Sequence, residues 1–275
     1  CHAWRDRIRE ASELASEAWA LGESLDDPTL TVGLSFPVIY AKIEYGEWGD
    51  VLRWSQRGVE LADGDPAKGG FVIGSPLAIA LTTRAAARYC LGRPGWQEDV
   101  RQGLAMGRGA DPLSYAGAVA YVYFPGILAG ALVPDDSAMR EIKDAVQIAE
   151  RAADDLALDL ARVTLGVALV HRDTDTDRSR GHDLLAEVSE ALQRREHNLA
   201  DLPLVNALLA SETARRGDPD EAIRLLRAIV DHLFRADRIN VQPLVLFGVG
   251  DFVIRWNRKA SFAQTENKLR VLILF

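Results

Sequence analysis

The chain has 275 residues, of which 48% are hydrophobic, and it carries a formal charge of −8 at pH 7. This length supports one large core or a repeat array, and the acidic balance argues against nucleic-acid binding because phosphate backbones are repelled. Two cysteines, Cys1 and Cys90, are too few for a disulfide framework, so we expect a cytoplasmic protein. Because it begins at Cys1 without a leader, we also expect a piece of a longer protein.

Apolar residues recur at helical spacing along most of the chain. In chain order, this pattern predicts helices at residues 3–21, 31–45, 51–62, 77–91, 97–106, 156–171, 182–195 and 241–256. The segment GGFVIGSPLAIAL is the one candidate strand, and we interpret it as a loop that leads into the helix from Ser75. An all-α chain is therefore predicted.

One uncharged segment, PLSYAGAVAYVYFPGILAGALV, has the length of a membrane span. We interpret it as a buried helix that breaks near Pro125, because its many small residues suit close helix contacts. A membrane helix is the alternative, but no second such run exists and no cationic flank marks one side. We therefore expect no membrane partner.

The stretch ARRGDPDEAIRLL contains a complete turn between two predicted helices. Gly217 suits a helix end in the left-handed conformation, Asp218 suits the N-cap of the next helix, and Pro219 suits its first position. Similar junctions precede second helices that begin near Trp48, Trp96, Ser137, Arg178 and Pro219. Their spacing, roughly 40 to 48 residues, is close to that of two-helix repeats.

These units predict a tetratricopeptide-like, right-handed α-solenoid of about five to six helical hairpins over residues 1–256. The remaining residues, 257–275, end in LRVLILF and would leave apolar side chains exposed. We expect this tail to be atypical or truncated. The alternative is a true final helix that buries Leu269, Leu272 and Leu274.

The sequence contains no recognisable catalytic or metal-binding motif. In HRDTDTDRSRGH the aspartates Asp173, Asp175 and Asp177 alternate as in calcium loops, but Arg178 occupies the position that requires glycine. We therefore interpret this stretch as a solvated loop between helices. Lys68 is not followed by serine or threonine, so the phosphate-loop pattern fails, and Cys90 on an alanine-rich helix is interpreted as a buried apolar residue. No catalytic, cofactor-binding or metal-binding residue is predicted.

Six aromatic residues around the first two hairpins form the candidate partner-binding patch: Tyr40, Tyr45, Trp48, Trp54, Tyr89 and Trp96. Packing between repeats also accounts for such residues. The functional interpretation is an aromatic surface in the solenoid groove that holds a peptide or a neighbouring domain.

Three stretches carry a resemblance to a known family: DPLSYAGAVAYVYFPGILAGALVPDDSAMREIKDA, AVQIAERAADDLALDLARVTLGVALVHRDTDTDRSRGHDLLAEV and ARRGDPDEAIRLLRAIVDHLFRADRI. They resemble the C-terminal tetratricopeptide-like region of large bacterial multidomain proteins that carry class III adenylate or guanylate cyclase and ATPase domains. The resemblance is best over residues 111–256. It implies no catalytic residue here, because the relatives' metal-binding aspartates and Walker motifs lie upstream of this region.

From the architecture and the resemblance we expect a non-catalytic interaction and sensor module of a signalling protein. Its partner would be a protein, a peptide or a neighbouring domain, with a small ligand in the concave groove as the alternative, and no cofactor is expected. ATP-dependent LuxR-type transcriptional regulators carry similar helical arrays, so a sensor arm of such a regulator is a second hypothesis. A third is a stand-alone enzyme whose site sequence patterns do not reveal.

Overall fold

The computed structural model describes residues 7–195 and 202–235, and every regular element in these two ranges is an α-helix. The predicted helix at 241–256 and the tail at 257–275 lie outside the described residues. The helices are α1 (Ile8–Ser24), α2 (Pro28–Tyr45), α3 (Trp48–Ala62), α4 (Pro76–Cys90), α5 (Trp96–Arg108), α6 (Pro112–Leu128), α7 (Asp136–Ala152), α8 (Asp155–Val170), α9 (Asp175–Arg195), α10 (Leu202–Arg215) and α11 (Pro219–Arg235). The predicted all-helical class is confirmed.

Helix α9 begins earlier than the sequence pattern predicts, so the interpretation of residues 171–182 as a loop is wrong for most of that stretch. The Thr174 hydroxyl accepts a hydrogen bond from the backbone N–H of Asp177 at 3.1 Å, as an N-cap residue does. Asp175 and Asp177 then lie in the first turn, where negative charge interacts favourably with the helix dipole. These cap interactions, which hydrophobic spacing does not report, extend the helix towards its N-terminus.

The predicted turn between α10 and α11 is confirmed in detail. Gly217 has a φ of 99°, and its N–H donates to the Ala214 carbonyl at 3.1 Å. The Asp218 N–H donates to the Thr213 carbonyl at 3.2 Å, so the two bonds form a Schellman motif. The Asp218 carboxylate in turn accepts from the Glu221 N–H at 3.1 Å and caps α11. Two other predicted junctions, Gly46 after α2 and Gly92 after α4, have φ values of 79° and 65°.

Each described helix packs on the next one along the chain within both ranges, and α9 also packs on α10. In addition, α2 packs on α4, α4 on α6, α6 on α8 and α8 on α10. The apolar core follows these contacts: one cluster joins α1 to α4, and a larger one runs from α5 to α10. The predicted second helices of the hairpins, α3, α5, α7, α9 and α11, begin at Trp48, Trp96, Asp136, Asp175 and Pro219.

Helix α6 contains most of the uncharged segment and lies among α4, α5, α7 and α8. Its small residues include Ala116 and Ala118, which are fully buried. Pro125 lies in its last turns, and the helix ends three residues later. None of the described helices combines the length and the apolar character that crossing a membrane requires. Close helix contacts therefore account for the low polarity of α6.

Candidate functional site

An open groove of about 700 Å³ lies between α1 and α3 and extends to the C-terminal end of α4. Trp19, Leu52 and Trp54 contribute its apolar surface. Its charged lining residues are Glu23, Arg53, Arg57, Glu60, Arg88 and Arg93. Four arginines and two glutamates thus share the lining of this open groove.

A pair of stacked indoles forms the floor of the groove. The ring centroids of Trp19 and Trp54 are 5.0 Å apart, and the ring planes differ by 5°. The two residues are 7% and 3% exposed, so the stack joins α1 to α3 and little of its surface is open to the groove. The Lys42 ammonium lies 5.2 Å from the Trp54 ring centroid, a distance at which a cation attracts the face of an indole.

Lys42 is itself buried, with a side chain that is 3% exposed, and its charge is paired with that of Glu47. Its Nζ donates to the Ser12 hydroxyl at 2.7 Å and to the Glu47 carboxylate at 2.5 Å. Ser12 also donates to Glu47, at 2.6 Å. Burial acts to raise the pKa of Glu47, but the hydrogen bonds from Lys42 and Ser12 outweigh it and hold that pKa below its ordinary value. This network fixes α1 and the start of α3 on α2 and so positions the indole floor.

A second charged network supports the α4 side of the groove. Asp99, which is 3% exposed, accepts a bidentate pair of hydrogen bonds from Arg84 at 3.0 and 2.6 Å. Arg88 adds a third bond to the same carboxylate, at 2.6 Å, and its Nη1 also donates to the Gly95 carbonyl at 3.0 Å. The remaining Arg84 donor, Nη1, reaches Gln56 on α3 at 2.8 Å. One buried carboxylate therefore serves two guanidinium groups.

Four of the six predicted aromatic residues belong to the core cluster of the first helices. Tyr40 and Trp54 are buried in it, and Tyr45 and Trp48 pack on it with half-buried side chains. Only Trp54 also lines the groove. For these four residues the packing alternative accounts for the positions that the structure describes.

The other two predicted aromatics lie at the end of α4 and the start of α5. The Tyr89 hydroxyl donates to the carbonyls of Tyr121 and Val122 at 3.1 and 3.0 Å, which ties α4 to α6. Burial raises the pKa of Tyr89 well above its ordinary value. Trp96 contacts the Tyr89 ring edge-on, with centroids 6.0 Å apart. Of the six predicted residues, only Trp54 lines the groove, and the contacts of the other five are made within the helix packing.

The aspartates in the first turn of α9 pair with nearby arginines. Arg172 donates to Asp177 at 2.9 Å and to Asp136 at 3.1 Å, and Arg178 pairs with Asp175. Across the described ranges, no group of three or more histidine, cysteine, aspartate or glutamate side chains is arranged to hold a metal ion. The arrangement favours ion pairing between helices over cation binding.

Cys90 is half-buried at the end of α4, and burial raises its pKa to about 12. A thiol with such a pKa remains protonated at neutral pH, so it has little nucleophilic character. The loop with Lys68 is also explained by local structure, because the Lys68 ammonium donates to the Leu61 carbonyl at 2.7 Å.

Sequence reasoning missed the arginines of the groove and Trp19. On α3, Arg53 and Arg57 are four residues apart and therefore share a helix face, a signal that is readable from the sequence. Arg88 and Arg93 reach the same groove from a different hairpin, and only the tertiary packing brings them there.

No protein-family model matches this chain, and no curated protein matches it in sequence.

Proposed function

We propose that the chain is a non-catalytic interaction module whose helical hairpins stack in file as a right-handed, tetratricopeptide-like solenoid. Two kinds of contact support this arrangement: each first helix packs on its hairpin partner, and α2, α4, α6, α8 and α10 pack on one another in succession. Stacked hairpins of this kind present an extended surface, and side chains from several units can then contact one partner.

The single observation that carries the proposal is the groove of about 700 Å³ between α1 and α3. Its volume suits a ligand site, but its rim consists of long arginine side chains, of which Arg53 and Arg57 are 69% and 48% exposed. An open groove with an aromatic floor and a flexible charged rim favours a polypeptide segment over an enclosed small molecule. The occupant in this proposal is therefore a protein or peptide, which includes a neighbouring domain of a larger protein.

The resemblance to the helical region of cyclase–ATPase proteins supports a role in a cytoplasmic bacterial signalling protein. In that setting the module would couple partner binding to the catalytic domains of its parent. No observation on the described residues favours a sensor arm of a LuxR-type regulator or a stand-alone enzyme over this role.

Selection of peptides from a displayed random library tests the proposal, with one variant that blocks the groove. Gly49 lies in the groove lining, and a β-carbon added there would meet no atom within 4 Å. Because Gly49 is exposed and its β-carbon position is open, Gly49→Trp should place an indole in the groove and leave the helix packing in place. Gln147→Trp, at an exposed position of α7, is the matched control.

We expect peptides that bind the wild-type chain and the Gln147→Trp variant but not the Gly49→Trp variant. Thermal unfolding followed by circular dichroism should give both variants the same melting temperature, since each variant adds one exposed tryptophan. Peptides that bind all three proteins equally would contradict the proposal, as would a library that yields no binder.

A further inference from the structure

We propose that the segment held in the groove is acidic, and that Arg88 and Arg93 form the subsite for its carboxylate side chains. This inference rests on the proposed function above and names the chemistry of the partner. The observations that carry it are the charge of the lining, the number of guanidinium groups around Asp99 and the donors that remain without partners.

The net charge of the groove lining is opposite in sign to the net charge of the whole chain. Four arginines and two glutamates give the groove a formal charge of +2, whereas the whole chain carries −8. A positive groove on a negative protein attracts acidic segments to one place and repels them elsewhere. Charge complementarity therefore points to an acidic occupant.

The buried network supplies an excess charge at the rim. Both oxygens of Asp99 are used by Arg84, which engages the carboxylate bidentately. Arg88 shares one of these oxygens through Nη1 alone. The single negative charge of Asp99 therefore compensates one guanidinium, and Arg88, with a side chain that is 24% exposed, retains unbalanced charge next to the groove.

Both Arg88 and Arg93 line the groove and have side-chain donors that the protein leaves unused. Among the described residues, Nε and Nη2 of Arg88 have no hydrogen-bond partner, and the side chain of Arg93 has none at all. The cap of α4 connects the two residues, because the Arg93 N–H donates to the Arg88 carbonyl at 2.7 Å. The pair therefore offers free guanidinium N–H groups from which a ligand carboxylate can accept charge-assisted hydrogen bonds.

Of the two groove arginines on α3, Arg53 pairs with Asp50 at 3.0 Å, whereas Arg57 is only weakly engaged by the protein. Arg57 lies 3.9 Å from Glu23 and 3.6 Å from Glu60, and all three side chains are about half exposed. Pairs of that length and exposure contribute little stability, so a ligand carboxylate can replace them at small cost. The positive rim thus continues from the α4 end of the groove along α3.

An acidic polypeptide fits this surface better than a nucleic acid does. Nucleic-acid sites neutralise a row of phosphates, and their affinity depends on many cations along one track. Here Glu23 and Glu60 share the groove lining with the arginines, and the whole chain is acidic. Discrete carboxylates spaced along a peptide avoid these negative positions.

The test measures the Kd of a fluorescently labelled oligoglutamate peptide and of the library-selected peptides by fluorescence anisotropy. Arg93→Glu is the main variant, because the exposed Arg93 side chain makes no hydrogen bond or ion pair with the described protein that its loss could disturb. Arg140→Glu is the matched control, since Arg140 is exposed on α7 and its side chain makes no hydrogen bond or ion pair with the described residues. Arg88→Gln is measured beside them under conditions in which its circular dichroism spectrum equals that of the wild type.

We expect selected peptides rich in aspartate and glutamate, and an increase in Kd of about tenfold for Arg93→Glu and for Arg88→Gln, with Arg140→Glu close to wild type. Added salt should weaken wild-type binding more than it weakens binding to Arg93→Glu. A different outcome would be the selection of neutral or basic peptides whose binding is abolished by Gly49→Trp and unchanged by Arg93→Glu. In that case the inference of an acidic partner is wrong, and the groove remains the binding site. If Gly49→Trp has no effect, the proposed function itself is wrong. Tighter binding of oligothymidylate than of oligoglutamate would overturn the inference in favour of a nucleic acid.

Discussion

Asp99 is the residue on which the α4 side of the groove depends. Its carboxylate is 4% exposed and holds Arg84 from the same hairpin together with Arg88 at the rim. A buried charge is tolerated because it is paired and hydrogen-bonded, and removal of one member leaves the others without compensation. The same residue that positions the groove arginines is therefore also one that the fold needs.

We expect Asp99→Asn to lower the free energy of unfolding by about 3–5 kcal/mol, because two guanidinium groups would remain close together without a counter-charge. Urea denaturation followed by circular dichroism measures this change. Glu98→Gln is the control, since Glu98 lies one residue away with a side chain that is 55% exposed, and no measurable change is expected. Equal stability of Asp99→Asn and wild type would show that this network is not formed.

At the scale of the elements, helix ends are determined by caps that single residues provide. Gly217 adopts a φ of 99°, a conformation that residues with a β-carbon rarely adopt. The loop before α11 depends on it, because the hydrogen bonds that close α10 require that backbone geometry.

Gly217→Val should destabilise the α10–α11 hairpin by about 1–2 kcal/mol, because a β-branched residue resists the left-handed conformation. Thermal unfolding measures the effect. Gly49→Ala is the matched control: Gly49 lies inside α3 with open space around it, so alanine should leave the melting temperature unchanged or raise it. Equal melting temperatures for Gly217→Val and wild type would mean that the turn lies elsewhere.

The sequence predicts the helices and most of their junctions because both signals are local. Apolar spacing identifies α2, α3, α4, α5 and α8 to within a few residues, and glycine marks the caps at Gly46, Gly92 and Gly217. The start of α9 was missed because Thr174 provides its cap through a side-chain hydrogen bond that the apolar pattern does not register.

The groove could not be derived in the same way. Its arginines come from α3 and from the end of α4, and their convergence depends on how two hairpins pack. The aromatic residues were recognisable as a group in the sequence, but which of them are buried depends on the same helix packing. Tyr40 lies in the core, and the Tyr89 hydroxyl connects α4 to α6 through a hydrogen bond. Residue type alone does not separate a packing aromatic from a binding one.

For the whole molecule, tyrosine and cysteine side chains that are buried or half-buried should make the free energy of unfolding fall at alkaline pH. Burial raises the pKa of Cys90 from 9.0 to about 12 and that of Tyr115 from 10.0 to about 12, and it raises the pKa values of Tyr89 and Tyr123 as well. The folded state therefore binds these protons more tightly than the unfolded state does. Their contribution to stability is fully present below about pH 9 and is lost as the pH rises towards 12.

We expect the melting temperature to fall steeply above about pH 9, together with the appearance of tyrosinate absorbance on unfolding. Tyr123→Phe should show a shallower fall, because that variant lacks one of the groups that the folded state keeps protonated. A melting temperature that stays constant up to pH 12, or parallel curves for the two proteins, would show that these side chains are exposed to solvent.

The central claim, that stacked hairpins hold an acidic segment between α1 and α3, is tested most directly by hydrogen exchange of the full chain with and without a selected acidic peptide. The account predicts slower exchange on binding in α1, along α3 and in the turn after α4, and little change in α6 to α8. Protection confined to other helices, with none in α1 and α3, would contradict it.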